Sequence, residues 1–301
     1  FGQALGGMLR DLLPLLAPHF YAALVASGSL AAVCLLVSLV PGEGGRTGNL
    51  VGVVAASALL LSSTGAMIRL GEQIVTDISE YQKLLLPAMT AALAAQGGAT
   101  AAAALYAGSA AFNTLLSQWM VKLLIPVQYL FLAVSMAGNV LDSDFLKNLK
   151  DTMKGMLLWC LKTVLSLFTA YLGITGVVTG SADAAAVKAA KAAFGTLVPV
   201  VGSVLADASE AVLVGAGVLR GAMGIYGILA ILAVFLEPFC QIGIQYLILK
   251  ATAAFCGLFA PKAVTTVIGD FSEVMRMLLG MTGAICVLGL VSTVCFLKGV
   301  S

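Results

Sequence analysis

The chain has 301 residues, 60% hydrophobic and 10% charged, with 16 basic against 14 acidic side chains and a net charge of +2. A soluble domain carries about 25% charged residues, and a soluble core needs far less apolar surface than a mean hydropathy of +1.06 implies. The bilayer is therefore the solvent for most of the chain, and the near-neutral balance without a basic, aromatic-interleaved block gives no footing for nucleic acid.

The first apolar run long enough to cross, at roughly 20 residues for a hydrocarbon core of about 30 Å, covers residues 20–40 and ends in the polar turn PGEGGRTG. Before it, FGQALGGMLRDLLPLLAPHF is short and interrupted by prolines, which predicts a separate interfacial helix. Residues 49–68 form a second span, and RLGEQIVTDISEYQK (69–83) reads as a solvent-side helix between spans, with apolar residues at helical spacing. Residues 84–112 carry Pro87 and then Gly97 and Gly98. One uninterrupted helix and two arms meeting near AAQGG both fit this stretch.

Trp119 and Lys122 suggest an interfacial end, followed by Pro126 and the run VQYLFLAVSMAGNVL. DSDFLKNLKDTMK (142–154) is the most charged stretch and is expected in water or at the headgroups, as a partner-docking loop carrying Asp142, Asp144, Lys147, Lys150, Asp151 and Lys154. Residues 155–178 form a further span, and SADAAAVKAAKAAF an alanine-rich helix. TLVPVVGSVLADASEAVLVGAG follows, then apolar runs over 221–236, 239–260 and 274–297.

Pro87 and Pro126 stand 39 residues apart (126 − 87), as do Pro199 and Pro238 (238 − 199), and sliding the chain by 112 residues also pairs Leu85 with Leu197 and Leu93 with Leu205. FLKNLKDTMKGMLLW resembles VIGDFSEVMRMLLGM once a gap is allowed. The expected architecture is an all-α, polytopic transmembrane bundle of about six to eight spans with two proline-broken arms from an internal repeat. Its parts are residues 1–83, a first membrane repeat over 84–180 and a second over 181–301.

An acid in the bilayer is costly and normally faces a cavity or a partner. Asp207 and Glu210 lie three apart, beyond Pro199 and Gly202, so a water-facing break in the helix would account for both the prolines and the acids. The alternative is an interfacial end where Asp207 caps a helix. Pro87, Gly97, Gly98, Pro199, Gly202, Asp207 and Glu210 are accordingly the candidate pore or gate residues. Glu237 stands either at an interface or paired with Arg220 or Lys250.

Six cysteines in apolar runs without a CxxC pair read as small buried hydrophobes. One histidine, His19, cannot supply a histidine-based metal site or triad, and GxSxG, HExxH and GxxxxGK[ST] are absent. No enzyme and no cofactor are expected.

The run KAAFGTLVPVVGSVLADASEAVLVGAGVLRGAMGIYGILAIL resembles the hallmark segment of the stage III sporulation protein AE family. LLLPAMTAALAAQGGATAAA and FSEVMRMLLGMTGAICVLG resemble the same family in the same order. Family members usually carry a signal sequence and a further polar region, so the chain is similar to the conserved membrane domain alone. The resemblance implies endospore formation and a place in the mother-cell membrane around the forespore. Implied partners are membrane lipid, other proteins of the stage III sporulation A operon (including a secretion-type ATPase and ring-forming subunits), a forespore-side channel partner, and further copies of the chain. Within such a channel complex the chain either lines an aqueous path or serves as a non-conducting scaffold. A secondary transporter is a third reading.

Overall fold

The computed structural model describes residues 2–39, 45–95, 99–141, 143–174 and 222–298, and every regular element among them is helical. We number the helices α1 (Gly2–Ser38), α2 (Gly45–Ala95), α3 (Ala99–Trp119), α4 (Ile125–Leu141), α5 (Asp144–Ile174), α6 (Ala222–Cys256) and α7 (Lys262–Lys298). A single wider π turn, Met120–Leu124, joins α3 to α4. Among the described residues, five stretches are long and apolar enough to cross a membrane: Arg10–Ser38, Gly48–Ala91, Ala102–Leu141, Tyr226–Cys256 and Lys262–Phe296. The all-α membrane bundle expected from the sequence is thus observed, and the expected span over 155–178 runs past the described end of α5.

Two expectations are corrected. No separate interfacial helix precedes the first span, because α1 runs unbroken through Pro14 and Pro18. The two prolines are four residues apart, so both rings share one exposed face and the lost hydrogen bonds fall on one side. The charged stretch 69–83 is not an independent connector either. It is the middle of α2, whose 51 residues extend about 77 Å at 1.5 Å per residue and pass through Pro87 without a break. Ile68, Ile74, Val75, Ile78, Leu86 and Met89 are buried at helical spacing along its inner face, which keeps the helix continuous across the charged outer face.

Near AAQGG, α2 is described to Ala95 and α3 from Ala99, and Gly97 and Gly98 lie outside the described residues. Further on, Pro126 lacks an N–H, and in a regular helix its ring would meet the carbonyl of Lys122. The π turn widens the helix just ahead of it, with the Ile125 N–H reaching the Met120 carbonyl.

The core is organised around α7. Of its most apolar stretch 94% is buried, against 17% of that in α1, so the hydrophobicity of α7 serves protein packing and that of α1 faces outward. Paired contacts give the directions. Lys150 meets Asp270 and Lys154 meets Glu273, so α5 runs parallel to α7. Ser135 meets Asp270 and Gln128 meets Met281, so α4 runs antiparallel to it. The α4–α5 and α6–α7 hairpins therefore lie side by side with the same sense. Small residues permit the closest approaches: a Cβ on Gly71 would stand 2.8 Å from Leu278, and one on Gly52 2.8 Å from Val37.

Candidate functional site

Three charged residues interrupt the apolar pattern of α7, namely Asp270, Glu273 and Arg276, at i, i+3 and i+6. This spacing puts them on one helical face, and that face meets α4 and α5. Asp270 is 7% exposed, a position at which an isolated carboxylate is strongly disfavoured. Four donated bonds compensate it. Lys150 Nζ of α5 donates to both oxygens at 3.0 and 2.9 Å, Asn139 Nδ2 of α4 donates at 3.3 Å, and the Ser135 hydroxyl of α4 donates to Oδ2. Asn139 is itself oriented by a 2.8 Å bond to the Ser135 carbonyl.

One turn along, Glu273 Oε2 forms ion pairs with Arg276 Nη2 at 2.5 Å and with Lys154 Nζ at 3.2 Å. Three cations therefore face two carboxylates on the contacting faces of α4, α5 and α7. A void of about 10 Å³ beside Ser135, Asn139 and Lys150 is at the lower edge of what admits one water.

The chemistry available here is electrostatic. Asp270 is held by four donors and Glu273 by two ion pairs, and no nucleophile stands next to a free base here. Among the described residues no group of three His, Cys, Asp or Glu is placed to hold a metal ion. The junction's physical effect is to fix the α4–α5 hairpin against α7 in one register, since a slip of either helix would strand a charge in the interior.

The sequence-derived candidates distribute unevenly around this site. Residues 144–154 form the first turns of α5 rather than a loop. Asp144, Lys147 and Asp151 are exposed on it, whereas Lys150 and Lys154 turn inward to Asp270 and Glu273. Pro87 is exposed on α2. Glu237 accepts a 3.3 Å bond from Gln241, and Lys250 lies more than three turns further along α6, so these two charges do not pair. Gly97, Gly98, Asp142, Pro199, Gly202, Asp207, Glu210 and Arg220 lie outside the described residues. Asp270, Glu273 and Arg276 were absent from the candidates. The available signal was three charges at one-turn spacing on a strongly apolar helix, complemented by Lys150 and Lys154 at i, i+4.

The family model of stage III sporulation protein AE matches residues 42–298. Stage III sporulation protein AE of Bacillus subtilis (strain 168) is 21% identical over 196 residues, an alignment that covers 65% of this chain and 49% of the relative. The chain thus matches about half the length of that relative. No solved structure matches the chain.

Proposed function

The chain belongs to the stage III sporulation protein AE family, and from that membership we propose that it is the polytopic membrane subunit of the channel complex joining mother cell and forespore during endospore formation. It works there in the mother-cell membrane that surrounds the forespore. It has no catalytic step of its own, and it assembles with the secretion-type ATPase, the ring-forming subunits and the forespore-side partner. The observation that carries the reading is the family match across residues 42–298, taken together with five stretches, among the described residues, long and apolar enough to cross a membrane.

Within this role the described bundle is the frame, pinned around α7 by the ionic junction, and the arm bearing Pro199, Gly202, Asp207 and Glu210 lines or gates the aqueous path. The frame's packed interior supports this division, because α7 fills the centre of the described helices and leaves no room there for a conduit. The competing reading is a scaffold that conducts nothing, with the exposed side of α5 (Asp144, Lys147, Asp151) as the surface offered to a partner.

Single cysteines placed along residues 197–210, in a version without the six native ones, separate the two during sporulation. Labelling by a membrane-impermeant thiol reagent at helical period, position 207 included, is the outcome expected for a lined path. Labelling at one end only would hand the role to the scaffold. Asp207→Asn combined with Glu210→Gln is expected to stop late forespore gene expression while the complex still assembles, and normal sporulation in that variant would remove the acids from any conducting role.

A further inference from the structure

The sequence KLLLP (83–87) on α2 recurs as KLLIP (122–126) across the π turn, and the fold brings the two lysines to one place. A cleft of about 180 Å³ opens between the charged stretch of α2 and the end of α3, lined by Thr76, Ser79, Glu80 and Lys83 from one wall and by Ser117, Gln118, Val121 and Lys122 from the other. Among the described residues neither Lys83 nor Lys122 makes an ion pair, although Glu80 shares the cleft.

The cleft combines two unpaired ammonium groups, one carboxylate, three hydroxyls and an amide. Its net formal charge is +1, from two cations and one anion. Around it the surface is apolar or aromatic: Leu84 is 78% exposed, and Leu115, Trp119 and Leu123 are exposed as well.

A site of this kind fits a particular chemistry. A monoanionic phosphodiester balances a +1 cleft, whereas a free phosphate monoester or a nucleotide polyphosphate carries more charge than it can match. Hydroxyl donors on the ligand suit Glu80. Exposed leucines and a tryptophan beside a basic cleft are the surroundings of a lipid headgroup at the membrane–water boundary. We propose that the α2–α3 cleft is a binding site for one anionic phospholipid with a hydroxyl-bearing headgroup, such as phosphatidylglycerol, held through its phosphodiester by Lys83 and Lys122. The proposal does not depend on the channel reading, since it concerns the outer face of the frame.

Trp119 follows the cleft residue Gln118 in sequence, and Trp159 is the other tryptophan of the chain. In Trp159→Phe protein reconstituted in phosphatidylcholine vesicles, Trp119 emission reports on the lipid seated there. Brominated phosphatidylglycerol is expected to half-quench it at a mole fraction at least fivefold below that needed for brominated phosphatidylcholine. Lys83→Gln with Lys122→Gln is expected to abolish that preference, and Lys250→Gln, a lysine exposed elsewhere on α6, to leave it intact. Equal quenching by the two lipids would overturn the proposal, as would equal loss in the Lys250→Gln protein, which would mean general surface charge. Displacement by millimolar inorganic phosphate would overturn the lipid as the ligand. Native mass spectrometry of the unaltered chain gives a check that needs no substitution: one phosphatidylglycerol is expected to survive conditions that strip phosphatidylcholine, and equal stripping of both would sink the site.

Discussion

The chain contains two dense runs of charge with opposite fates. In α2, Arg69, Asp77, Glu80 and Lys83 all lie on the outer face, and the inner face of the same turns is uncharged and mostly apolar. In α5, Asp144, Lys147 and Asp151 face outward as well, but Lys150 and Lys154 turn into the protein. Composition does not distinguish the two runs. The helix opposite each of them does. Where α7 passes α2 it presents Leu278 and Gly289, and a charge turned inward there would have no partner. Where α7 passes α5 it presents Asp270 and Glu273, and two inward lysines become the only economical arrangement.

Breaking the α5 side carries the largest expected effect. Asp270→Ala leaves Lys150, whose side chain is 16% exposed, without its carboxylate, deprives the Ser135 hydroxyl of its acceptor and removes one of the acceptors of Asn139. Stranding a buried charge in this way costs roughly 3–5 kcal/mol. Thermal unfolding of the detergent-solubilised protein should show that loss, and adding Lys150→Met to Asp270→Ala should recover most of it. If the double variant were no more stable than Asp270→Ala, the pair would not be the unit that holds α5 to α7.

The α2 side offers a test of opposite sign. Gln82 lies on the inner face, 1% exposed, packed close to Gly289, and neither end of its amide has a hydrogen-bond partner. A buried polar group without a partner costs about 1–3 kcal/mol, and methionine has nearly the same volume and no such requirement. Gln82→Met is expected to raise the unfolding temperature, by an amount equivalent to about 1 kcal/mol. A loss of stability would show that the amide is satisfied by water and that α2 is wetter inside than its neighbours suggest.

The same contrast explains what the sequence made legible. Helical class and membrane solvent are local properties, carried by hydropathy, and the structure bears them out. Fusion of the second span, the charged stretch and the first part of the proline-bearing arm into α2 was not legible. Charge and proline both signal an end locally, and only the apolar inner face against α7 overrides them. The ionic junction escaped for a related reason. Lys150 and Lys154 were visible as part of a polar run, but their direction is set by Asp270 and Glu273, 120 and 119 residues further on (270 − 150 and 273 − 154).

The smallest predicted effect sharpens the comparison within α5 itself. Lys147 Nζ lies 3.4 Å from Asp144 Oδ1, two turns before the Lys154–Glu273 contact, and the two side chains are 47% and 94% exposed. Water screens such a pair, and exposed pairs contribute about 0.2–1 kcal/mol at most. Asp144→Asn keeps a side chain able to cap the start of α5 while removing the charge. Its unfolding temperature should differ from that of the parent by an amount equivalent to less than about 0.5 kcal/mol, and added salt should shrink even that. The Asp270→Ala deficit should resist the same salt, because its partners are buried. If both variants responded to salt alike, the inner pair would be as exposed as the outer one, and the distinction between the two faces of α5 would fall.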